Sequence, residues 1–172
     1  LNEISKILSG GSEDDINIYI TKNFILFEFN NTRVVSRLIE GNYFDVNKMI
    51  SQDYETKIVI NKKSLYDCID RSMLFSKEGN KKPIVVNINE QALEIVVKSP
   101  LGNMDEEIEI EMNGRPLVIG FNPKFLIDAL KVIDDENISI YFVNPKAPCY
   151  IKDENESYIY LVLPINLNST YN

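Results

Sequence analysis

Histidine is absent from the 172 residues, and its absence narrows the functions that this chain can perform. Histidine is the commonest general base and metal ligand in proteins, and it activates the serine or cysteine nucleophile of many enzymes. The sequence also lacks a glycine-rich phosphate loop and a nucleophile elbow. Carboxylates are the remaining candidates for catalysis or metal binding, so the acidic residues decide whether an enzyme is expected.

Three pairs of adjacent acids could be considered for such a site: Asp14 with Asp15, Glu106 with Glu107, and Asp134 with Asp135. They lie in predicted turns or on an alternating strand, and their spacing does not converge several oxygens on one ion. We therefore interpret them as solvated acids. The expected protein is not an enzyme, and it has no catalytic residues, no metal and no cofactor.

The chain has only two cysteines and no long apolar run. Cys68 and Cys149 are far apart in sequence, so a disulfide is allowed but not required, and a reducing compartment is the simpler interpretation. No stretch of about 18 apolar residues could span a membrane, and the first residues do not resemble a signal peptide. We expect a cytoplasmic location and no membrane partner.

The sequence carries a net charge of −8, with 18 basic and 26 acidic residues. Proteins that bind nucleic acid by neutralising phosphates are usually basic. Taken alone, the charge therefore argues against a conventional DNA-binding protein. The apolar fraction of 44% is ordinary for a globular protein, and a chain of this length can bury a core.

Periodicity divides the sequence into three similar passages, of which the last is the clearest. A short apolar strand at 115–121 precedes a helix at 122–133, where Asn122 suits the N-cap and Pro123 the first helical position. The apolar residues of this helix fall on one face: Phe125, Leu126, Ala129, Leu130 and Ile133. Three predicted strands follow, at 137–143, 149–152 and 158–164. The order of this passage is therefore βαβββ.

The middle passage has the same order. A strand at 57–60 leads into a helix at 61–76, and three strands follow, at 84–88, 92–97 and 105–112. The helix is expected to turn five residues toward the core: Leu65, Cys68, Ile69, Ser72 and Met73. The last strand alternates, which predicts apolar residues on one face and a solvated row of glutamates on the other.

The first passage lacks its opening strand. A helix at 1–8 is followed by three strands, at 16–20, 24–29 and 33–39. Two βαβββ units make one pseudo-symmetric domain, so residues 53–172 are expected to be one complete domain and residues 1–47 the second half of another. Residues 40–55 would connect the two domains. We expect the chain to be a fragment of a longer protein; the alternative is a shorter protein whose first helix needs no strand.

Three segments add a family resemblance to these repeats. With "RLIEGNYFDV" at the junction, "GFNPKFLIDAL" opening the last helix and "YLVLPINL" near the end, the chain resembles the bacterial DNA polymerase III beta subunit, the sliding clamp family. The resemblance implies an α+β DNA-clamp fold of tandem βαβββ repeats, with helices on the inner face and antiparallel sheets on the outer face. It implies a chain holding half of the middle domain and the whole third domain.

The resemblance also implies a function, namely a processivity factor of DNA replication. In this family two three-domain chains close into a homodimeric ring around duplex DNA, so that closure and not tight binding retains the DNA. A ring would resolve the conflict with the acidic charge. Its implied partners are double-stranded DNA without sequence specificity, the polymerase III catalytic subunit, the clamp loader, and other replication and repair proteins that carry a short motif.

Such motifs dock, in this family, in a pocket between the second and third domains. By the match of its motifs, the resemblance assigns ten residues to this peptide-binding pocket: Phe44, Met49, Asn122, Phe125, Leu161, Val162, Leu163, Pro164, Ile165 and Asn166. Phe44 stands where the family often has proline, and "NSTYN" extends beyond the usual end. From pattern alone, the apolar tail could equally be core or a clasp on a neighbouring domain.

Two further surfaces follow from the resemblance. Leu74 and Phe75 would lie at the dimer interface, although the last turn of a core helix explains them equally well. The cations on or beside the two helices would face the DNA and offer a weak positive lining: Lys62, Lys63, Arg71, Lys124 and Lys131. Ordinary solvated helix charges are the alternative for these residues, since Asp67, Asp70 and Asp128 lie on the same helices.

The other class of function left open is a non-enzymatic interaction module, unrelated to DNA, that binds peptides by strand addition. Such a module would share the terminal cleft but would not form a ring. A parent chain of about twice this length, with further βαβββ units upstream, would favour the clamp.

Overall fold

Residues 2–8, 15–42, 53–75 and 83–167 are described by this computed structural model. The chain divides into two units, Leu1–Met49 and Ile50–Asn172, which are treated separately below. Within the described ranges, every helix falls short of the length and apolarity that a bilayer crossing requires.

The first unit contains one helix and a three-stranded antiparallel sheet. Its elements are α1 (Asn2–Leu8), β1 (Asn17–Ile20), β2 (Phe24–Phe29) and β3 (Thr32–Arg37), and the sheet has the order β1-β2-β3. Phe27 and Phe29 are buried, whereas Ile18, which pairs with Phe27 across the strands, is 55% exposed. The predicted αβββ order is confirmed, and much of the apolar face of this sheet is open.

The second unit contains two consecutive βαβββ repeats, as predicted. The first repeat consists of β4 (Thr56–Asn61), α2 (Lys62–Met73), β5 (Ile84–Ile88), β6 (Ala92–Ser99) and β7 (Gly102–Gly114). The second consists of β8 (Leu117–Phe121), α3 (Pro123–Leu130), β9 (Asn137–Phe142), β10 (Cys149–Lys152) and β11 (Ile159–Val162). The periodicity of the sequence predicted the bounds of all ten elements to within a few residues.

The two repeats exchange their first strands within one antiparallel eight-stranded sheet. The order of the strands is β11-β10-β9-β4-β7-β6-β5-β8. Strand β4 opens the first repeat but pairs with β9 of the second, and β8 opens the second repeat but pairs with β5 of the first. Neither repeat can complete its sheet alone, so we expect the unit to fold as one cooperative body.

The two helices lie against each other on one face of this sheet. Leu65, Cys68 and Ile69 of α2 share a single core cluster with Leu126 and Leu130 of α3 and with the inward residues of the strands. The inward strand positions are mostly isoleucine and valine, which pack well on a pleated surface. Burial of these side chains from both layers fixes the helices on the same side of the sheet.

Side-chain caps set the start of both helices. Asn61 Oδ1 accepts a hydrogen bond from Ser64 N at 3.0 Å, and Asn122 Oδ1 accepts one from Lys124 N at 3.1 Å. Asparagine is a favoured N-cap because its side chain satisfies a main-chain donor that the first helical turn leaves unpaired. Pro123 takes the first helical position, as predicted.

One predicted core position on these helices is wrong, since Met73 is 37% exposed. Phe125, on the predicted apolar face of α3, is 54% exposed. Met73 ends α2, and Phe125 lies in the first turn of α3, so each is at the margin of the helix–sheet contact. Periodicity gives the direction of an apolar stripe but not how far the sheet extends beneath it.

Strand β7 is the longest strand, and its two edges are paired over different lengths. Gly102–Glu109 pair with β6 through one edge, whereas Ile110–Gly114 pair with β4 through the opposite edge. The β4 side of Gly102–Glu109 therefore has no paired strand among the described residues. This leaves an open sheet edge in the first half of β7.

The chain after β11 crosses to the other end of the sheet. Ile165 forms an antiparallel bridge with Gly120 of β8, and Ile165 N donates to Gly120 O at 2.8 Å. A Cβ atom on Gly120 would lie 2.5 Å from Leu167 Cδ2 and 3.0 Å from Ile165 O. The tail can approach β8 this closely because residue 120 has no side chain.

Lys62 stabilises the end of the neighbouring helix. Its Nζ donates to the main-chain oxygen of Ile133, just beyond α3, at 2.5 Å. The ammonium group satisfies the carbonyl of Ile133, just past the end of α3, with a charge-assisted hydrogen bond. Because this hydrogen bond uses its ammonium group within the fold, Lys62 is less available to a DNA-facing lining, and that role stays a prediction.

Replacing Gly120 by alanine is expected to lower the free energy of unfolding by about 1–3 kcal/mol, the usual cost of overpacking. The new Cβ must displace the Leu167 side chain or the tail itself. Urea unfolding of the wild type and of Gly120→Ala measures the loss. Leu167→Ala in the Gly120→Ala background should recover part of it, and a Gly120→Ala protein with an unchanged midpoint would contradict this account of the tail.

Replacing Lys62 by methionine should lower the free energy of unfolding by about 1–2 kcal/mol, because a charge-assisted hydrogen bond to Ile133 O is lost while the apolar stem remains. Lys63→Met is the matched control, since the side chain of Lys63 is 80% exposed and pairs only with Asp67, one turn along the helix. Thermal unfolding should show a clear loss for the first variant and a change within about 0.5 kcal/mol for the second. Equal effects would rule out the capping role.

Candidate functional site

A groove lies where the tail meets β8. It has a volume of about 420 Å³ and is bordered by Pro164–Leu167 of the tail, Val118–Gly120 of β8, and Pro145 and Lys146 of the β9–β10 loop. Leu163 stands beside it with 62% of its surface exposed. The groove is formed within the second unit by ordered main chain, and its walls are largely aliphatic. A short peptide with apolar side chains has the dimensions and chemistry to bind there.

Three of the ten residues assigned to the peptide pocket line this groove together, namely Pro164, Ile165 and Asn166. Leu163 is an exposed neighbour in sequence. Val162 is buried in the core, and Leu161 is half-buried opposite Tyr150. The structure therefore separates the predicted wall into a core part, before Leu163, and an accessible part after it.

Asn122 and Phe125 do not line this groove. Asn122 caps α3 through its side chain, and Phe125 presents more than half of its surface to solvent in the first turn of that helix. Phe44 and Met49 lie outside the described residues. Their assignment to the pocket stays a prediction.

Sequence reasoning missed six residues that border the groove: Val118, Ile119, Gly120, Pro145, Lys146 and Leu167. Leu167 is part of the tail motif "YLVLPINL", and Gly120 carried a signal of its own. A glycine inside an apolar strand often marks a close approach of another main chain, and here that approach is made by Ile165. The remaining four, Val118, Ile119, Pro145 and Lys146, come close to the tail only because the chain after β11 crosses to β8, at the other end of the sheet.

The four cations assigned to a DNA-facing lining differ in their surroundings. Lys63 pairs with Asp67 at 2.5 Å on the exposed surface of α2, and Arg71 pairs with Glu106 of β7. Lys124 and Lys131 are exposed on and just after α3, and neither forms an ion pair with another described residue. The helix surface therefore offers a weak positive field, because two of its four cations are matched by carboxylates.

Arg71 is held by two-point contact with Glu106. Arg71 Nε donates to Glu106 Oε1 at 2.8 Å and to Oε2 at 3.2 Å, and Nη2 donates to Oε2 as well. These hydrogen bonds lower the pKa of the Glu106 carboxyl and raise that of the guanidinium further. A guanidinium group that donates from two nitrogens to one carboxylate forms the strongest kind of arginine–carboxylate pair. Arg71 is therefore less available to phosphates than an unpaired arginine.

Glu106 is on the opposite face of β7 from the one predicted. Alternation places Glu106 on the side of Met104, Ile108 and Ile110, toward the helices, whereas Asp105 and the other glutamates face away. The prediction that the glutamates of this strand form one solvated row opposite its apolar residues is therefore wrong for Glu106. Glu106 also lies near Cys68, where burial, followed by the nearby carboxylate, raises the pKa of the thiol to about 12.

Both cysteines are buried free thiols. Burial raises the pKa of Cys149 to about 12 as well. Thiolates are the reactive form of cysteine, so neither residue is prepared for nucleophilic or redox chemistry. Among the described residues, no three acids or thiols come together as a metal site, and Asp135 instead accepts a hydrogen bond from the Tyr158 hydroxyl at 2.5 Å.

The residues assigned to a dimer interface lie beside the open edge of β7. Leu74 follows α2 and is 77% exposed, whereas Phe75 is partly buried against the core and its ring lies over Gly102. Leu101, in the β6–β7 turn, is 51% exposed. An unpaired strand edge with neighbouring apolar side chains is a surface suited to pairing with another chain.

The comparisons with known proteins agree with this geometry. Residues 47–166 match the family model for the C-terminal domain of the DNA polymerase III beta subunit. The beta sliding clamp of Staphylococcus epidermidis is 35% identical over 168 residues, which is 96% of this chain and 44% of that protein. The chain therefore spans less than half the length of this relative.

Solved structures give the same result. A DNA polymerase III beta subunit from Eubacterium rectale superposes with a TM-score of 0.89 and 56% identity, over 97% of this chain and 45% of that one. The DNA polymerase sliding clamp of Bacillus subtilis superposes with a TM-score of 0.84 and 35% identity, over 96% and 44% of the two chains. From its fold, its sequence and the match of its C-terminal domain, this chain belongs to the DNA polymerase III beta subunit family, the bacterial sliding clamps.

Proposed function

We propose that this chain is part of a cytoplasmic, ring-shaped clamp that encircles duplex DNA and tethers the replicative polymerase to it. Its role is that of a processivity factor, without catalysis of its own. The observation that carries the proposal is the arrangement of two adjacent helices on one face of a continuous antiparallel sheet, in a chain of this family. A sheet can form the outer wall of such a ring, and the helices can line its hole.

The domain organisation follows from the same reasoning. Residues 53–172 form a complete C-terminal clamp domain in this proposal, because the two exchanged repeats close their own core. Residues 1–47 form the second half of the middle domain. The open apolar face of the β1-β2-β3 sheet supports this part, since a complete two-repeat domain would cover residues such as Ile18.

Encirclement explains how an acidic protein can be retained on DNA. A closed ring retains the duplex by topology, so its lining needs only weak contacts that permit sliding. Lys124 and Lys131 are exposed on the helix side of the sheet, and Lys63 and Arg71 are already paired with carboxylates. The acidic residues of β7 other than Glu106 occupy the opposite face, away from the proposed path of the DNA.

The groove at the tail is the proposed docking site for partner motifs. Its partners would be the polymerase III catalytic subunit, the clamp loader and other replication or repair proteins with a short glutamine- and leucine-containing motif. Each buried aliphatic side chain is worth roughly 1.5–3 kcal/mol, so two anchors give on the order of micromolar affinity after the cost of ordering the peptide. Affinity of this order suits partners that must exchange.

Ring closure is proposed to use the open edge of β7. In a homodimer, a strand of the partner chain would pair with Gly102–Glu109, and Leu74 and Phe75 would pack at its side. The unpaired edge, the exposed Leu74 and the exposed Leu101 support this location. The closing strand would come from a domain outside these 172 residues, so we expect these residues alone not to form the ring.

Titration of a short motif peptide tests the docking site. Leu163→Ala should weaken binding about ten-fold or more, since an exposed apolar anchor beside the groove is lost, and Pro164→Ala should weaken it by relaxing the tail. Val132→Ala, at an exposed residue after α3, is the control and should bind as the wild type does. Fluorescence anisotropy of a labelled peptide gives the affinities, and unchanged binding by both tail variants would reject the site.

Retention on circular DNA tests the role of closure. This fragment, which carries a net charge of −8, should elute at the same volume with nicked circular DNA as without it at physiological salt. Gel filtration of the protein with the circular plasmid is the measurement. Stable co-elution of the fragment would show that adhesion and not encirclement holds it, and would contradict the proposed mechanism.

A further inference from the structure

Strand β8 has an open edge that is only partly used by the tail. It is the last strand of the sheet order, with β5 on one side. Gly120 O accepts from Ile165 N, so the polar groups of Gly120 point away from β5. Alternate residues of an antiparallel strand turn their N–H and C=O groups to the same side, so Val118 directs both groups to this open edge. None of the described residues bonds to them there.

A second cavity continues the groove along this edge. It has a volume of about 410 Å³ and shares Val118 and Pro145 with the tail groove. Its inner wall is apolar, since Ile88 and Phe142 are buried core residues and Leu117 packs against the same core. The two cavities together form one channel that passes over Val118, which is itself 50% exposed.

The channel is less acidic than the sheet surface next to it. Arg115 borders the second cavity and Lys146 borders the tail groove, and neither forms an ion pair with another described residue. Among the described residues, Glu55 is the only acid that lines either cavity. The outward face of β6 and β7, by contrast, carries a row of acids: Glu94, Asp105, Glu107 and Glu109. A ligand with negative charge is therefore steered to the channel and repelled from the adjoining sheet.

We propose that the open edge of β8 at Val118 is an extension of the peptide-docking site, where an acidic flanking segment of a partner peptide adds as a strand. The segment exchanges main-chain hydrogen bonds with Val118, places one apolar side chain in the second cavity, and pairs its acids with Arg115 and Lys146. The tail already shows that this edge accepts an antiparallel segment, at Gly120. The inference rests on the proposed docking of partner motifs in the tail groove.

The test compares three labelled peptides: the short motif, and the motif extended by Asp-Val-Asp at its amino end or at its carboxyl end. One extended peptide should bind about ten-fold more tightly than the short motif, the gain expected of a main-chain pair and one small apolar anchor. Two N-methylated forms of the better extended peptide are then compared, one methylated at the valine and one at a neighbouring aspartate. Only alternate N–H groups of a strand face its neighbour. N-methylation should therefore abolish the gain in affinity at one of these positions and leave it unchanged at the other.

Protein variants locate the contact. Arg115→Gln should reduce the gain by about three-fold and leave the short motif nearly unaffected, as expected for a partly exposed ion pair. Because Lys146 also borders the tail groove, Lys146→Gln should weaken the extended peptide more than it weakens the short motif. Lys98→Gln, at an exposed lysine on β6, is the matched control and should change nothing. Added salt should reduce the gain in the wild type but not in the double variant Arg115→Gln with Lys146→Gln.

The outcomes separate this inference from the docking proposal. Failure of the short motif to bind, with binding of one extended peptide, would reject the docking proposal and keep the strand-addition site. Binding of the short motif without any gain from either extension would overturn the inference alone. A gain that is insensitive to both N-methyl positions, or to both cation variants, would also overturn it, and absence of binding by all three peptides would reject both.

Discussion

The exchange of opening strands between the two repeats is the constraint on which the second unit depends. Because β4 pairs with β9 and β8 pairs with β5, the two repeats share one sheet and one core. The exchange brings both helices to the same face of the sheet, which leaves the other face free of helices among the described residues. It also places β8 and β11 at opposite ends of the strand order, where the tail can join them through Gly120.

The proposed binding surfaces lie at open strand edges of this sheet. The tail groove and the channel beyond it lie along the open edge of β8. The proposed assembly edge is the part of β7 that extends beyond the residues paired with β4. Open edges are usually a hazard for a β-protein. These two open edges lie beside apolar side chains that a specific partner could cover, as the proposed docking and assembly require.

The cations of the helix surface are largely matched by partners within the fold. Arg71 is held by Glu106, Lys62 is held by the end of α3, and Lys63 is paired along its own helix. The remaining exposed lysines of the helix surface, Lys124 and Lys131, are too few to hold a duplex tightly. This balance fits a protein whose attachment comes from encirclement.

Much of this architecture could be predicted from the sequence, because hydrophobic period and turn residues are local. The strands at 84–88 and 149–152 have the predicted bounds, and the caps at Asn61 and Asn122 are readable from residue type. The partners of Arg71 and Lys62 were not predictable in this way, since each is far away in sequence and is brought close only by packing. For Glu106, strict alternation of β7 did carry a signal, which the run of acids obscured.

The groove could be predicted only in part, for a similar reason. The tail residues were identified by their resemblance to a family motif, but the opposite wall at Val118 and Lys146 depends on which strands lie at the ends of the sheet. The central claim is that the full-length protein is a ring held on DNA by closure. Its most direct test is retention of that protein, loaded by its clamp loader, on circular DNA before and after the circle is cut by a restriction enzyme. The account predicts stable retention on the circle and rapid loss from the linear product; equal retention on both would contradict it.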